Sequence, residues 1–458
     1  METSERRDTL WCALLICACF TLTSEAWIQW HYHLMTVVPS QEADVIAMVA
    51  GYLMQAFGIG IAAVVARRSP GALSRLPMVS VIAAHFVCSV PAALGTSVVG
   101  SIAFGLLMSL LCGIVAAYYL QSLATRVPSE RRGVTFGAAY ACSTILTWLL
   151  SIAQNALGQA IPVRLAIGVA LSIVVALLVV KESAAAPGSD IDGTAATAPI
   201  DNQLVAVASI AVLFMSLVKN VGFSFPSSDI MAGVSIETSR LFYAVGLVAA
   251  GLINDYKRQH GAILCIAALV TPFALLAVSG EQIPATALWA ADYLFYGFFS
   301  VYRVVLFADL GSRENKVFLA GLGLMFGRIG DALGTAVCRS LGANTMVLVV
   351  VAVALFAASV FVTTHLFQLL YASPVVVVSP PARSEKEVFD SFSSRYDLSQ
   401  REREVLRQVL AERTNAEAAA ELFVAESTVK FHVRNLLKKT GCKNRLELIS
   451  LYASDRDA

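Results

Sequence analysis

Six basic side chains, Lys430, Arg434, Lys438, Lys439, Lys443 and Arg445, fall between Thr428 and Leu446 with no acidic residue among them. Cations crowded into one short stretch can neutralise a row of phosphates, and most of the acids lie just upstream, so the charge is one-sided. The stretch ESTVKFHVRNLLKKT (426–440) has helical spacing, which directs Val429, Val433, Leu436 and Leu437 inward and leaves Lys430, Phe431, Arg434 and Lys438 on other faces. A second set of chemically capable residues stands in strongly apolar surroundings. Glu25 with Trp27 and Trp30, Lys219 with Asn220, and Asp292 with Tyr293 and Tyr296 each interrupt a long apolar run. Arg328 and Asp331 do so three residues apart, a spacing that lets them pair on one helical face. An ionisable group at the centre of a membrane helix costs about 2.5 kcal/mol or more, so such groups face a cavity or a partner.

Composition explains those surroundings. Of 458 residues, 57% are hydrophobic and only 14% charged, against roughly 25% charged in an average soluble domain, which argues against a purely soluble enzyme. The last 62 residues carry 11 of the 33 Lys+Arg and 10 of the 32 Asp+Glu, so two physical regimes share one chain and the net charge of +1 averages over both. The nine cysteines show no CxxC spacing and mostly lie in apolar runs, where Cys behaves as a small hydrophobe; neither a disulfide framework nor a metal site is expected, and His31, His33 and His85 lack ligand spacing.

A bilayer core needs about 20 apolar residues per helix. Such runs fall at 10–33, 43–66, 76–95, 97–121, 134–158, 162–181, 203–226, 236–254, 261–280, 285–308, 316–340 and 344–371, giving twelve helices in an all-α chain. The first is too long for a signal-peptide core and reads as a retained membrane helix. A Pro/Gly-punctuated polar stretch at 182–202 splits the region into halves, 1–181 and 203–371, and a second polar stretch at 372–396 links them to a soluble domain at 397–458. Basic residues collect in alternate loops (Arg67, Arg68 and Arg75; Arg126, Arg131 and Arg132; Lys181; Lys257 and Arg258; Arg313 and Lys316), whereas the opposite set holds Arg164, Arg240 and Arg339. This places the basic loops and both termini on the cytoplasmic side of a multi-pass membrane protein.

The segment GLINDYKRQHG (251–261) resembles the G-x-x-x-D-[RK] loop of the major facilitator superfamily, although the corresponding AAVVARRSPG keeps Arg67 and Arg68 without the acid. Asp255, Lys257 and Arg258 fit a plain loop anchor equally well. In the facilitator arrangement the first, seventh and tenth helices line a central cavity. Glu25, Trp27, Trp30, Lys219, Asn220, Asp292, Tyr293 and Tyr296 would then converge on an aromatic-walled pocket for a small polar or aromatic ligand, with Arg328 and Asp331 on the glycine-rich eleventh helix. Interhelical pairing, with Trp27, Trp30 and Trp289 as interfacial anchors, is the alternative.

In the tail, Ser399 with Glu402 and Thr414 with Glu417 have capping-box spacing before two short helices. The run from LSQREREVL through NAEAAAELFVAESTVKFHVRNLLKKTGCKNRLEL resembles the LuxR-type (GerE-like) helix-turn-helix. The resemblance implies a four-helix domain whose third helix enters the major groove of double-stranded DNA, with Lys430, Phe431 and Arg434 facing the groove and Thr428, Lys438 and Lys439 toward phosphates; His432 divides between packing and phosphate contact. It also implies a homodimer on DNA and RNA polymerase as a further partner. Three positions depart from the pattern: Glu412 replaces a turn glycine, Ala418 a core Ile, and Ala425 a capping Ser or Thr.

The chain therefore looks like a membrane-bound, one-component LuxR regulator in which twelve helices receive a small-molecule signal. The rival is a facilitator-like transporter with an appended DNA-binding domain. No constellation of nucleophile, base or metal ligands points to an enzyme, and no cofactor is implied.

Overall fold

The structure, a computed structural model, describes residues 2–69, 73–181, 201–224, 236–271, 285–313, 316–341, 344–371 and 385–456. The chain divides into two compact units, Met1–Tyr371 and Ala372–Ala458. Among the described residues every regular element is helical.

The first unit consists of α1 (Glu2–Val37), α2 (Ser40–Arg68), α3 (Arg75–Leu94), α4 (Val98–Arg126), α5 (Arg132–Ala156), α6 (Ile161–Val180), α7 (Asn202–Ser224), α8 (Ile236–Tyr256), α9 (Arg258–Ala268), α10 (Ala285–Ser312), α11 (Leu322–Leu341) and α12 (Thr345–Tyr371). These twelve correspond one to one with the apolar runs of the sequence. Ten spans among the described residues are long and apolar enough to cross a membrane, while α8 is apolar over Leu241–Tyr256 and the expected continuation of α9 to 280 lies outside the described residues. So do most of the 182–202 linker and the side chains of Arg240 and Trp289.

Helices α1–α6 pack mainly on one another, as do α7–α12, and the two sets meet along α5 with α8 and α2 with α11. Small residues permit the first of these seams. A Cβ on Gly137 would collide with the Leu247 carbonyl oxygen, so the α5 and α8 backbones touch where any larger residue would part them. In α11, Gly330 and Gly334 press on the α7 backbone at Leu213 and Leu217. A π-helical turn, Val45–Ala50, re-aims the part of α2 that carries Met48 and Tyr52.

The second unit contains α13 (Glu385–Arg395), α14 (Gln400–Leu410), α15 (Asn415–Leu422), α16 (Glu426–Thr440) and α17 (Arg445–Arg456). Its core includes Leu398, Val405, Leu406, Val409, Val429, Leu436 and Leu448. The expected four helices are present as α14–α17. A fifth, α13, occupies the end of the 372–396 segment read as linker; residues 372–384 are outside the described set. Its Val388, Phe389 and Phe392 are buried in the same core, with Phe392 against Tyr396 and Tyr452.

Candidate nucleic-acid interface and membrane cavity

Local signals in the chain build the soluble unit. The Glu402 carboxylate accepts from the Ser399 amide at 2.8 Å while the Ser399 hydroxyl accepts from the Glu402 amide, and Glu417 and Thr414 repeat the exchange at α15, its backbone arm 2.7 Å. Both capping boxes read from the sequence are formed. Two of the departures have structural counterparts: Glu412 holds a left-handed φ of 57°, and Ala425 begins α16 without a side-chain cap.

Helix α16 buries Val429 and Leu436 and packs Val433 and Leu437 at the edge of the core, as its spacing requires. On its uncovered surface lie Thr428, Lys430, Phe431, Arg434 and Lys438. Phe431 is 58% exposed, unusual for an aromatic ring on a soluble unit. Lys430 bridges to Glu426 one turn back at 2.9 Å, a surface pair that is readily exchanged for another anion. His432 is half-buried, edge-on to Phe431, and its buried Nδ1 has no hydrogen-bond partner among the described residues.

Two basic residues are held by contacts within the fold. Lys439, expected at phosphates, donates to the Glu402 carboxylate at 2.8 Å and to the Asp397 carbonyl at 2.6 Å. Arg445 donates to the Arg413 carbonyl and, at 3.4 Å, to those of Gln408 and Val409, closing the C-terminal end of α14. Partial burial raises the Glu402 carboxyl, but the hydrogen bond from Lys439 and those at Ser399 outweigh it and hold the group below its ordinary value.

The ionisable residues of the membrane unit sort into separate places. Asp331 is fully buried and surrounded by three cations: Lys219 at 2.7 Å, Arg303 at 3.4 Å and Arg328 at 3.6 Å. Asn220 donates to the Asp331 carbonyl at 2.6 Å and to Thr335. Behind this knot, the Lys219 ammonium lies 3.7 Å from the centre of the Tyr296 ring. Asp292 is buried as well.

A cavity of about 200 Å³ opens between the two helix sets. Its walls include Trp27, Tyr52, Tyr140, Tyr243, Tyr293 and Tyr296, and Arg328 is the one charged side chain on them among the described residues. Trp27, Tyr293, Tyr296 and Arg328 are thus brought together on its walls. Lys219, Asn220 and Asp331 stand behind the wall. Glu25 and Trp30 go elsewhere: Glu25 accepts from Gln29 at 2.9 Å and Gln154 at 2.5 Å in a different recess, while Trp30 is fully buried and donates to the Ser101 carbonyl at 3.1 Å. Arg303 was missed, although its position inside an apolar run is the same signal that flagged Lys219. Tyr52, Tyr140 and Tyr243 carry no motif and become wall residues only through packing.

Ionic contacts join the two helix sets at both ends of the bundle. At one, the Asp255 carboxylate accepts from the Gly133 and Val134 amides at 2.8 and 2.7 Å, capping α5, while Arg132 and Arg258 reach Asp309 at 2.8 and 2.7 Å. In the facilitator-like loop, Asp255 and Arg258 take part in contacts between the sets, and among the described residues Lys257 makes no salt bridge to them. At the other end, Asp44 of α2 pairs with Arg339 of α11 and with His31.

Comparison with known proteins agrees with both units. Residues 397–452 match the family described as bacterial regulatory proteins, luxR family (GerE). Spore germination protein GerE of Bacillus subtilis is 40% identical over 58 residues, 13% of this chain and 78% of that protein. The nitrate/nitrite response regulator protein homolog of Haemophilus influenzae is 44% identical over 55 residues, but the chain spans only 26% of its length. Among solved structures, the human organic anion transporter MFSD10 (TETRAN) aligns with a TM-score of 0.55 over 78% of this chain and 99% of its own. The E. coli fucose:proton symporter FucP aligns with a TM-score of 0.56 over 79% and 99%. Both are 14% identical to this chain, a likeness of fold alone.

Proposed function

The chain belongs to the luxR family of bacterial regulatory proteins, and from that premise we propose that it is a membrane-bound transcriptional regulator, controlled by a small molecule received in the membrane unit. The observation that carries the DNA-binding part is the uncovered face of α16. Thr428, Lys430, Phe431 and Arg434 stand clear of the core on a helix of fifteen residues, long enough to lie along a major groove, with Lys438 toward the backbone. Lys439 is assigned a positioning role through Glu402. The domain acts on double-stranded DNA as a homodimer, with α17 as the pairing surface, since Leu446 is 78% exposed there; RNA polymerase is the further partner of the bound complex. The bundle lies in the cytoplasmic membrane, its basic loops and both termini inside.

Control by a small molecule is supported by a cavity whose walls come from both helix sets. A ligand shifts such a protein only through different affinity for two arrangements of those walls. The decisive experiment is binding of residues 385–458 to genomic fragments at moderate salt. Selective retention of particular promoter fragments is expected; no preference over random duplex would overturn the regulator. The transporter reading is favoured by the fold and by the Asp255 loop, and uptake of a cavity ligand into vesicles, against binding without flux, separates it from the sensor.

A further inference from the structure

The charges behind the cavity do not balance. Asp331 is one carboxylate facing three cations, and its closest contact, at 2.7 Å, is with Lys219. Asp292 is also buried but is not among the residues lining the cavity. Arg328 is left with a 3.6 Å ion pair as its closest anion and with the Tyr52 ring at 4.5 Å. Its side chain lines the cavity and is 17% exposed, so a guanidinium held only by that long ion pair presents donors to a low-dielectric wall. Planar forked donors of this kind match a carboxylate. Around them stand a tryptophan and several tyrosines, whose faces and edges suit a flat ring. The volume sets the size: an apolar cavity of about 150 Å³ holds benzene, and this one is about 200 Å³. Glu25, the residue that would have favoured a cation, is hydrogen-bonded in another recess.

We propose that the membrane cavity binds a single-ring aromatic acid, its carboxylate on the Arg328 guanidinium and its ring among Trp27, Tyr52 and Tyr296. This rests on the reading of the membrane unit as a ligand sensor and adds the chemical class of the ligand. A cationic ligand is disfavoured by the Arg328 charge, and a neutral one leaves the Arg328 donors unpaired.

The test uses the full chain in lipid nanodiscs, titrated calorimetrically with benzoate, benzyl alcohol and benzylamine, which share one ring and differ in charge. Benzoate is expected to bind, and the other two to bind about ten- to hundredfold more weakly, the range of one hydrogen-bonded charge. Arg328→Gln should weaken benzoate by the same factor, and Arg328→Lys by less. The wild-type comparison stands whether or not the variants fold. Equal binding of benzoate and benzyl alcohol, or benzoate binding unchanged in folded Arg328→Gln, overturns the anionic class while leaving an aromatic sensor. If none of the three binds, both the class and the sensor reading of this cavity fall.

Discussion

Lys439 of α16 donates to the very carboxylate, that of Glu402, which closes the capping box of α14, so one acid ties two helices of the soluble unit together. Because the folded group is held below its ordinary value, the contact contributes stability in full above that value and loses it as pH falls through the folded one. Glu402→Gln should therefore lower stability by about 1 kcal/mol at neutral pH and flatten the acid limb of the unfolding curve. Urea titrations of residues 385–458 across pH would check it.

Arg434 and Lys438 should behave differently from Lys439. Replacing either of the first two by Ala is expected to weaken DNA binding and reduce the salt slope by about 1, with little change in melting temperature. Lys439→Ala should lower the melting temperature first. Binding isotherms at several salt concentrations, paired with thermal melts, distinguish the two kinds of basic residue.

The departures from the family pattern are correctable. Ala425→Ser supplies α16 with a missing acceptor and should stabilise by about 1 kcal/mol. Glu412→Gly relieves a left-handed L-residue and should gain about 1 kcal/mol after glycine's entropy is counted. Chemical denaturation of each variant is sufficient, and the two gains should add, since the sites do not share a partner.

Phe392→Ala should cost roughly 3–5 kcal/mol, because the ring is fully buried against Tyr396 and Tyr452. A fragment beginning at 397 should likewise be less stable than one beginning at 385. Equal denaturation midpoints would remove α13 from the domain.

In the membrane unit, Asp331→Asn removes the carboxylate that Lys219, Arg303 and Arg328 share and should destabilise by about 3–5 kcal/mol. Adding Lys219→Met should not restore stability, since Arg303 and Arg328 remain; full recovery in the double variant would reduce the knot to a simple pair. Thermal unfolding in detergent is the readout.

What the sequence made legible was local or periodic. Capping boxes lie within four residues, apolar runs count themselves, and the inward face of α16 follows from its spacing. Residues settled by tertiary packing were not legible. Lys439 stays exposed, and only the packing of α14 shows that its ammonium is engaged by Glu402 and the Asp397 carbonyl. Phe389 and Phe392 lie in a polar, serine-containing stretch whose helical worth depends on Tyr452. Glu25 and Lys219 gave the same signal, an ion in an apolar run, yet one is satisfied by glutamines and the other by Asp331.

The pairing of Asp44 with Arg339 at one end, opposite the Arg132–Asp309 pair and the Asp255 cap on α5 at the other, has a kinetic implication. Two bodies fastened at both ends of a shared seam cannot tilt until one fastening has let go. The slow event in any response is then the rupture of a handful of ionic bonds, and the dwell time of each state is set by whichever end gives way first.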